Sequence, residues 1–222
     1  MVSIGGSILI PGDGDSSYIR ELSQMLRSAV GDRCLMVVCG GGRISRYYSE
    51  TGRALGGSTE QLDRMGIMIT RVNAALLRVA LGDIAVDGAP DTVEQAAGMC
   101  AEGRIVVMGG TVPGHTTDAV ATMLAREVGA SKVINATAVD AVYSEDPKLN
   151  PDAERYSELT VSQLAELVYS QHDAGNSSVF DPKGVRIATE ESIDILIVSG
   201  RDLDDLEAAI TDRPVKGTVV RS

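Results

Sequence analysis

The sequence predicts an α/β protein built on a mainly parallel sheet with helices over both faces. Three observations support this. Apolar β-type runs alternate with helix-period stretches along all 222 residues, which implies crossover connections. Hydrophobic residues make up 44% of the chain, but aromatics only 3%, and Trp is absent. The core is therefore left to Val, Ile, Leu, Ala and Met, small and β-branched types that suit buried parallel strands. The 24 glycines gather where apolar runs end, as tight connections require.

In chain order, residues 2–4 are a short apolar piece running into Gly5-Gly6-Ser7. Residues 16–30 place Tyr18, Ile19, Leu22, Met25, Leu26 and Ala29 at helix spacing. CLMVVCGGG is a continuous apolar run closed by three glycines, the mark of a fully buried strand. Helical patterns cover 43–55 and 59–81, a weak strand lies at 84–86, a helix near 91–102, and the strand RIVVM leads into GGTVPGHTTDAVA. Then come the strand KVINA, a long loop, helices near 160–169 and 182–190, the strand IDILIVSG, a helix near 202–210 and a last strand, GTVVRS. No repeat or linker interrupts the pattern, so residues 1–222 are expected to form one domain.

Charge and composition narrow the function. The formal net charge is −11 and the sequence pI about 4.6, with no Lys/Arg cluster, so nucleic acid is a poor partner. No stretch of about 18 apolar residues is evident, and no basic-then-apolar leader opens the chain, so neither a membrane partner nor a signal peptide is expected. Cys34, Cys39 and Cys100 are odd in number and lack C-x-x-C spacing. They read as buried thiols of a reducing, cytoplasmic compartment. With only His115 and His172 as histidines, no metal site of zinc type is expected.

The glycines carry the chemistry. Gly5-Gly6, Gly40-Gly41-Gly42 and Gly109-Gly110 each follow directly on an apolar strand. Ligands of open α/β sheets bind beyond the carboxyl ends of strands. Glycine there lets the backbone approach a phosphate, and a following helix offers unpaired N–H groups. Neither G-x-x-x-x-G-K-[ST] nor G-x-G-x-x-G occurs, which excludes the usual P-loop and dinucleotide fingerprints.

The segments SIGGSIL, VVCGGGRISRYY, DRMGIMITRVNAALL, GGTVPGHTTDAVA, NATAVDAVYSEDPKLNP and FDP occur in the order found in the amino acid kinase superfamily. Within it the chain resembles the archaeal type of uridylate (UMP) kinases. The G-G-T-x-P-G-H-T-T-D-A-V-A and V-D-x-V-Y-x-x-D-P segments are specific to that branch. The resemblance implies a three-layer α/β/α sandwich, a homohexamer, and transfer of the γ-phosphoryl group of ATP to UMP with magnesium, in pyrimidine nucleotide biosynthesis. It implies that the loop of Thr111, Val112, Pro113, Gly114, His115, Thr116 and Thr117 binds UMP together with Gly41 and Asp63, the latter on the ribose hydroxyls. It implies that Gly5, Gly6, Gly42, Arg46, Thr137, Ala138, Tyr143 and Asp146 bind ATP. Asp118 matches the aspartate that organises the catalytic cations. A general base is not needed, since a UMP phosphate oxygen is already anionic. The wider superfamily carries a Lys two residues before the first Gly-Gly, where this chain has Ser3. Arg46, Lys183 and Arg186 are the candidate replacement cations.

Each residue also has a plainer reading. Thr116 or Thr117 caps a helix, His115 is a loop residue, and Asp63 a helix-surface carboxylate. Asp118 would then merely face the positive end of its helix. The first strand is short, and family members carry more residues there, which leaves a late start of the chain open. Two alternatives remain: a non-catalytic nucleotide-binding storage or regulatory protein of this fold, and another phosphate-accepting kinase such as isopentenyl phosphate kinase.

Overall fold

The computed structural model describes residues 1–12, 14–147, 149–173 (side chains to residue 170) and 179–222. The first half runs β1 (Val2–Ile4), α1 (Gly6–Leu9), α2 (Asp15–Ala29), β2 (Leu35–Cys39), α3 (Gly42–Ala54), α4 (Thr59–Leu81), a 3-10 turn (Gly82–Ile84), α5 (Val93–Gly98) and β3 (Ile105–Met108). The second runs α6 (Thr117–Glu127), β4 (Lys132–Thr137), β5 (Val142–Tyr143), β6 (Arg155–Tyr156), β7 (Glu158–Thr160), α7 (Val161–Asp173), α8 (Pro182–Glu191), β8 (Asp194–Ser199), α9 (Leu203–Ile210) and β9 (Thr218–Arg221).

Seven strands form one sheet in the order β3-β2-β1-β4-β8-β9-β7, with every neighbouring pair parallel except β8 and β9. Strand β1 sits between β2 and β4, with Val2 opposite Val37 on one side and Ile134 on the other. Alternation along the strands sends successive side chains to opposite faces. Val2, Ile4, Val37, Cys39, Ile134 and Ala136 meet Leu22, Leu26, Leu77, Leu81 and Leu206 from α2, α4 and α9. Met36, Val38, Val133, Ile195 and Ile197 meet Val120, Leu124, Leu164 and Val185 from α6, α7 and α8. The result is the three-layer sandwich expected.

Three sequence expectations need correction first. The weak strand at 84–86 is a 3-10 turn followed by a single bridge, Ala85 to Ile105. The guanidinium of Arg104 takes the carbonyls of Ile84 and Ala85, at 3.2 and 2.9 Å, in place of a strand ladder. The helix near 91–102 contracts to Val93–Gly98, capped by Thr92. Cys34 and Cys100 are not separate thiols but a disulfide, with Cα atoms 5.7 Å apart. Parallel pairing of Leu35 with Ile105 brings the two segments together despite 66 residues of separation. Cys39 is the free, buried thiol, pushed up to about 12 by burial.

Helix α4 also departs from expectation, because Thr59–Ile84 is long and apolar enough to cross a membrane by length and composition. Arg71 and Arg78, two of its three arginines, break the apolar run to the eye without making it polar. Here it packs against β2, β3, α2 and α3, burying Leu62, Ala74, Leu77 and Leu81. Its outer side leaves Met68, Val72, Leu76 and Val79 in solvent, Val79 at 79%.

Candidate active site

The carboxyl ends of β1, β2, β3 and β4 lie along one edge of the sheet, and strand order reverses between β1 and β4. Such a switch point opens a crevice beyond the strands. Gly5 and Gly6 leave β1 there, Gly40 to Gly42 leave β2, Gly109 and Gly110 leave β3, and Thr137 and Ala138 leave β4. The Gly5 N–H donates to the Ala136 carbonyl at 2.9 Å, and Gly40 N–H to Ile4 at 2.8 Å. The first two turns interlock. A Cβ on Gly6 would lie 2.2 Å from Gly42 N and 2.4 Å from Gly40 O, and Gly42 adds a left-handed φ of +62°. Gly5 is different. Its φ is −57°, and a Cβ there would find nothing closer than Ala136 O at 3.4 Å. The fold alone does not require glycine at position 5.

Gly41 caps α3 without any side-chain hydrogen bond, so the first-turn N–H groups of a 13-residue helix face the crevice unclaimed by a cap. Arg46 stands one turn into α3, exposed, with no ion pair among the described residues. Tyr143 lies on the β5–β6 hairpin, its hydroxyl donating to Asp140 at 3.0 Å. The carbonyl of Asp146 closes the following turn by accepting from Leu149 and Asn150. Among the described residues no hydrogen bond joins Arg46 or Tyr143 to the glycine turns.

Helix α4 fastens two of those turns. Asn73 donates to the Gly40 carbonyl at 2.7 Å, and Thr70 Oγ1 accepts from Gly110 N–H at 2.7 Å. Arg71, paired with Asp91 at 2.7 Å, donates to the carbonyls of Gly110 and Thr111 at 3.2 and 3.4 Å. Sequence reading passed over these three residues. The available signal was polar Thr70 and Asn73 on the inward face of an otherwise apolar helix, where buried polar groups must find partners.

Side chains hold the 111–117 loop. Asp63 on α4 accepts from the Gly114 N–H at 2.9 Å. Thr116 does cap α6, accepting from Ala119 N–H at 3.2 Å, and its hydroxyl also donates to Asp181 at 2.8 Å. Asp181 in turn caps α8 through the N–H groups of Lys183 and Gly184. Lys183 Nζ meets His115 Nε2, while Arg186 faces Glu190 on its own helix. Desolvation, then the Lys183 charge, hold His115 below its ordinary pKa. An ammonium can only donate to Nε2, which leaves the ring proton on Nδ1. That Nδ1 and the Thr111 Oγ1 are buried without partners among the described residues, as groups awaiting a ligand would be.

Asp118 opens α6 directly behind this loop. Its residue is half-buried, but its carboxyl group is closely surrounded by protein, and desolvation pushes it up to about 6. A hydrogen bond from Ser3 opposes that rise, and the nearby Asp181 charge adds to it. Among the described residues no group of three or more His, Cys, Asp or Glu is placed to hold a metal ion.

Residues 1–199 match the family model described as the amino acid kinase family. Over 221 residues the chain is 39% identical to a uridylate kinase of Methanoculleus marisnigri, covering 99% of this chain and 94% of that protein. It is 41% identical over 221 residues to a uridylate kinase of Methanothermobacter thermautotrophicus, covering 99% and 98%. In three dimensions it is similar to the crystal structure of the uridylate kinase from Archaeoglobus fulgidus, with a TM-score of 0.87 at 37% identity, covering 99% and 98%.

Proposed function

The chain belongs to the amino acid kinase family, and from that premise we infer that it is a UMP kinase. It transfers the γ-phosphoryl group of ATP to UMP. A UMP phosphate oxygen attacks the γ-phosphorus, the bond to the bridging oxygen breaks, and ADP departs with that electron pair. Such a transfer needs in-line placement and charge stabilisation more than covalent help. The observation that supports it most is the convergence of three glycine turns and the 111–117 loop on one sheet edge.

In this reading Gly5, Gly6, Gly42 and Arg46 meet the ATP phosphates, while Thr137, Ala138, Tyr143 and Asp146 line its nucleoside side. Gly41, Asp63 and residues 111–117 receive UMP. Since the Thr116 hydroxyl is engaged by Ala119 and Asp181, Thr117 and the His115 Nδ1–H are the better placed donors to an anion. Asp118 orients the cations around the moving phosphoryl group. Magnesium, bound with ATP, would supply positive charge to offset that of the phosphates, with Asp118 the carboxylate beside it. The enzyme acts in the cytoplasm, in pyrimidine nucleotide synthesis, as a homohexamer. The exposed α4 stripe of Met68, Val72, Leu76 and Val79, beside a groove of about 380 Å³ between α2 and α4, supports assembly.

The test is ADP release with UMP, CMP, dUMP and isopentenyl phosphate under magnesium, with light scattering for assembly. Turnover with UMP foremost is expected. Nucleotide binding without turnover would favour a storage or regulatory protein instead.

A further inference from the structure

Ser3 occupies the middle of β1, an interior strand of the sheet, and is fully buried. Val2 and Ile4 beside it face the α2/α4 core, so its side chain points to the other face, toward α6. A buried hydroxyl is unfavourable unless bonded, and packing alone would be served by Ala or Val. The Ser3 hydroxyl donates to Asp118 Oδ1 at 2.7 Å, across 115 residues of sequence. No other described residue donates a hydrogen bond to that carboxylate. The bond links two functional segments, since β1 runs into Gly5-Gly6 and α6 follows the 111–117 loop.

We infer that Ser3 is a positioning residue, its hydroxyl aiming the Asp118 carboxylate at the junction between the two nucleotide-facing segments. Hydrogen bonds to an ionised acceptor are shorter and stronger than neutral ones, so a single hydroxyl can fix the carboxylate's rotamer. Helix α6 packs against β1, β2 and β4 of the sheet and against α5 and α8. The charged residues at the head of α8 are Asp181, whose charge bears on Asp118, and Lys183, engaged with His115. Ser3 thus offsets both the desolvation of the carboxylate and the repulsion from Asp181. Its kinetic consequence rests on the UMP kinase reading, whereas the geometry does not.

The experiment compares wild type, Ser3→Ala and Ser3→Thr in kcat, in KM for each nucleotide, in pH–rate profile and in thermal unfolding. Ser3→Ala is expected to lower kcat about tenfold or more while both KM values stay within about twofold, the split expected when a transition-state contact is lost. Its acid limb should move to higher pH, because Asp118 must be ionised to act and now holds its proton longer. Ser3→Thr, which keeps the hydroxyl, should recover most of the activity. A Ser3→Ala enzyme with kcat within about twofold and an unmoved acid limb overturns the inference. If wild type does not turn over UMP, the kinase reading falls separately. The ¹³C titration of the Asp118 carboxyl then decides: a rise in Ser3→Ala supports the positioning role, and an unchanged titration ends it.

Discussion

At the turn joining β1 to α1, backbone lies on backbone: a methyl on Gly6 would sit 2.2 Å from Gly42 N. Across the crevice, the 111–117 loop rests on side chains: Asp63 on Gly114, Thr116 on Asp181, Lys183 on His115. The first arrangement cannot yield without moving two strands of the central sheet. The second consists of partly solvated contacts, each worth about 1 kcal/mol or less, which can be exchanged for contacts to a ligand. The glycine-turn side is thus set by the fold, while the 111–117 side is assembled from replaceable tethers and keeps Thr111 Oγ1 and His115 Nδ1 unmatched among the described residues.

The contrast can be broken most severely at Gly6. Gly6→Ala should cost more than about 4 kcal/mol or prevent folding, read by chemical denaturation, because the atoms in the way are backbone. A stable Gly6→Ala protein would show that the interlocked turns are not rigid. Next comes Asp118→Asn, expected to lower kcat by about a hundredfold or more with little change in nucleotide affinity. The same change should stabilise the protein at pH 7, by up to about 3 kcal/mol. The folded carboxyl holds its proton to about pH 6, against an ordinary value of 3.8. Stability therefore falls as pH rises between those values, and the full penalty persists above 6. Thermal unfolding from pH 4 to 8 should show that slope in wild type and lose it in the variant.

On the 111–117 side, Asp63→Ala should raise the KM for UMP about tenfold and leave that for ATP unchanged. Equal effects on both would mean the loop tether supports the whole site. The smallest effect is expected at Gly5→Ala, within about 1 kcal/mol of wild-type stability, since the space exists. Its KM for ATP should rise all the same. An unaffected KM would leave the glycine at position 5 unexplained.

Legibility in the sequence follows the same division. Long periodic stretches such as residues 16–30 and 59–81 announce their helices, and glycine clusters mark the strand ends, because both are local signals. Strands β5, β6 and β7 were hidden in what reads as a long loop, being two or three residues each and partly polar. The Cys34–Cys100 link and the Ser3–Asp118 bond join residues 66 and 115 apart, and no local pattern encodes such meetings. Arg46 is the converse case: a position carried over by resemblance that the structure leaves exposed and unpaired among the described residues.

Helix α4 binds Gly40 through Asn73 and Gly110 through Thr70, and turns Met68, Val72, Leu76 and Val79 outward. A stiff rod pinned to both turns along one flank behaves as a crossbar. Pressure on its greasy outer flank would reach the Gly40 and Gly110 turns together, so their separation is kept even when their position is not.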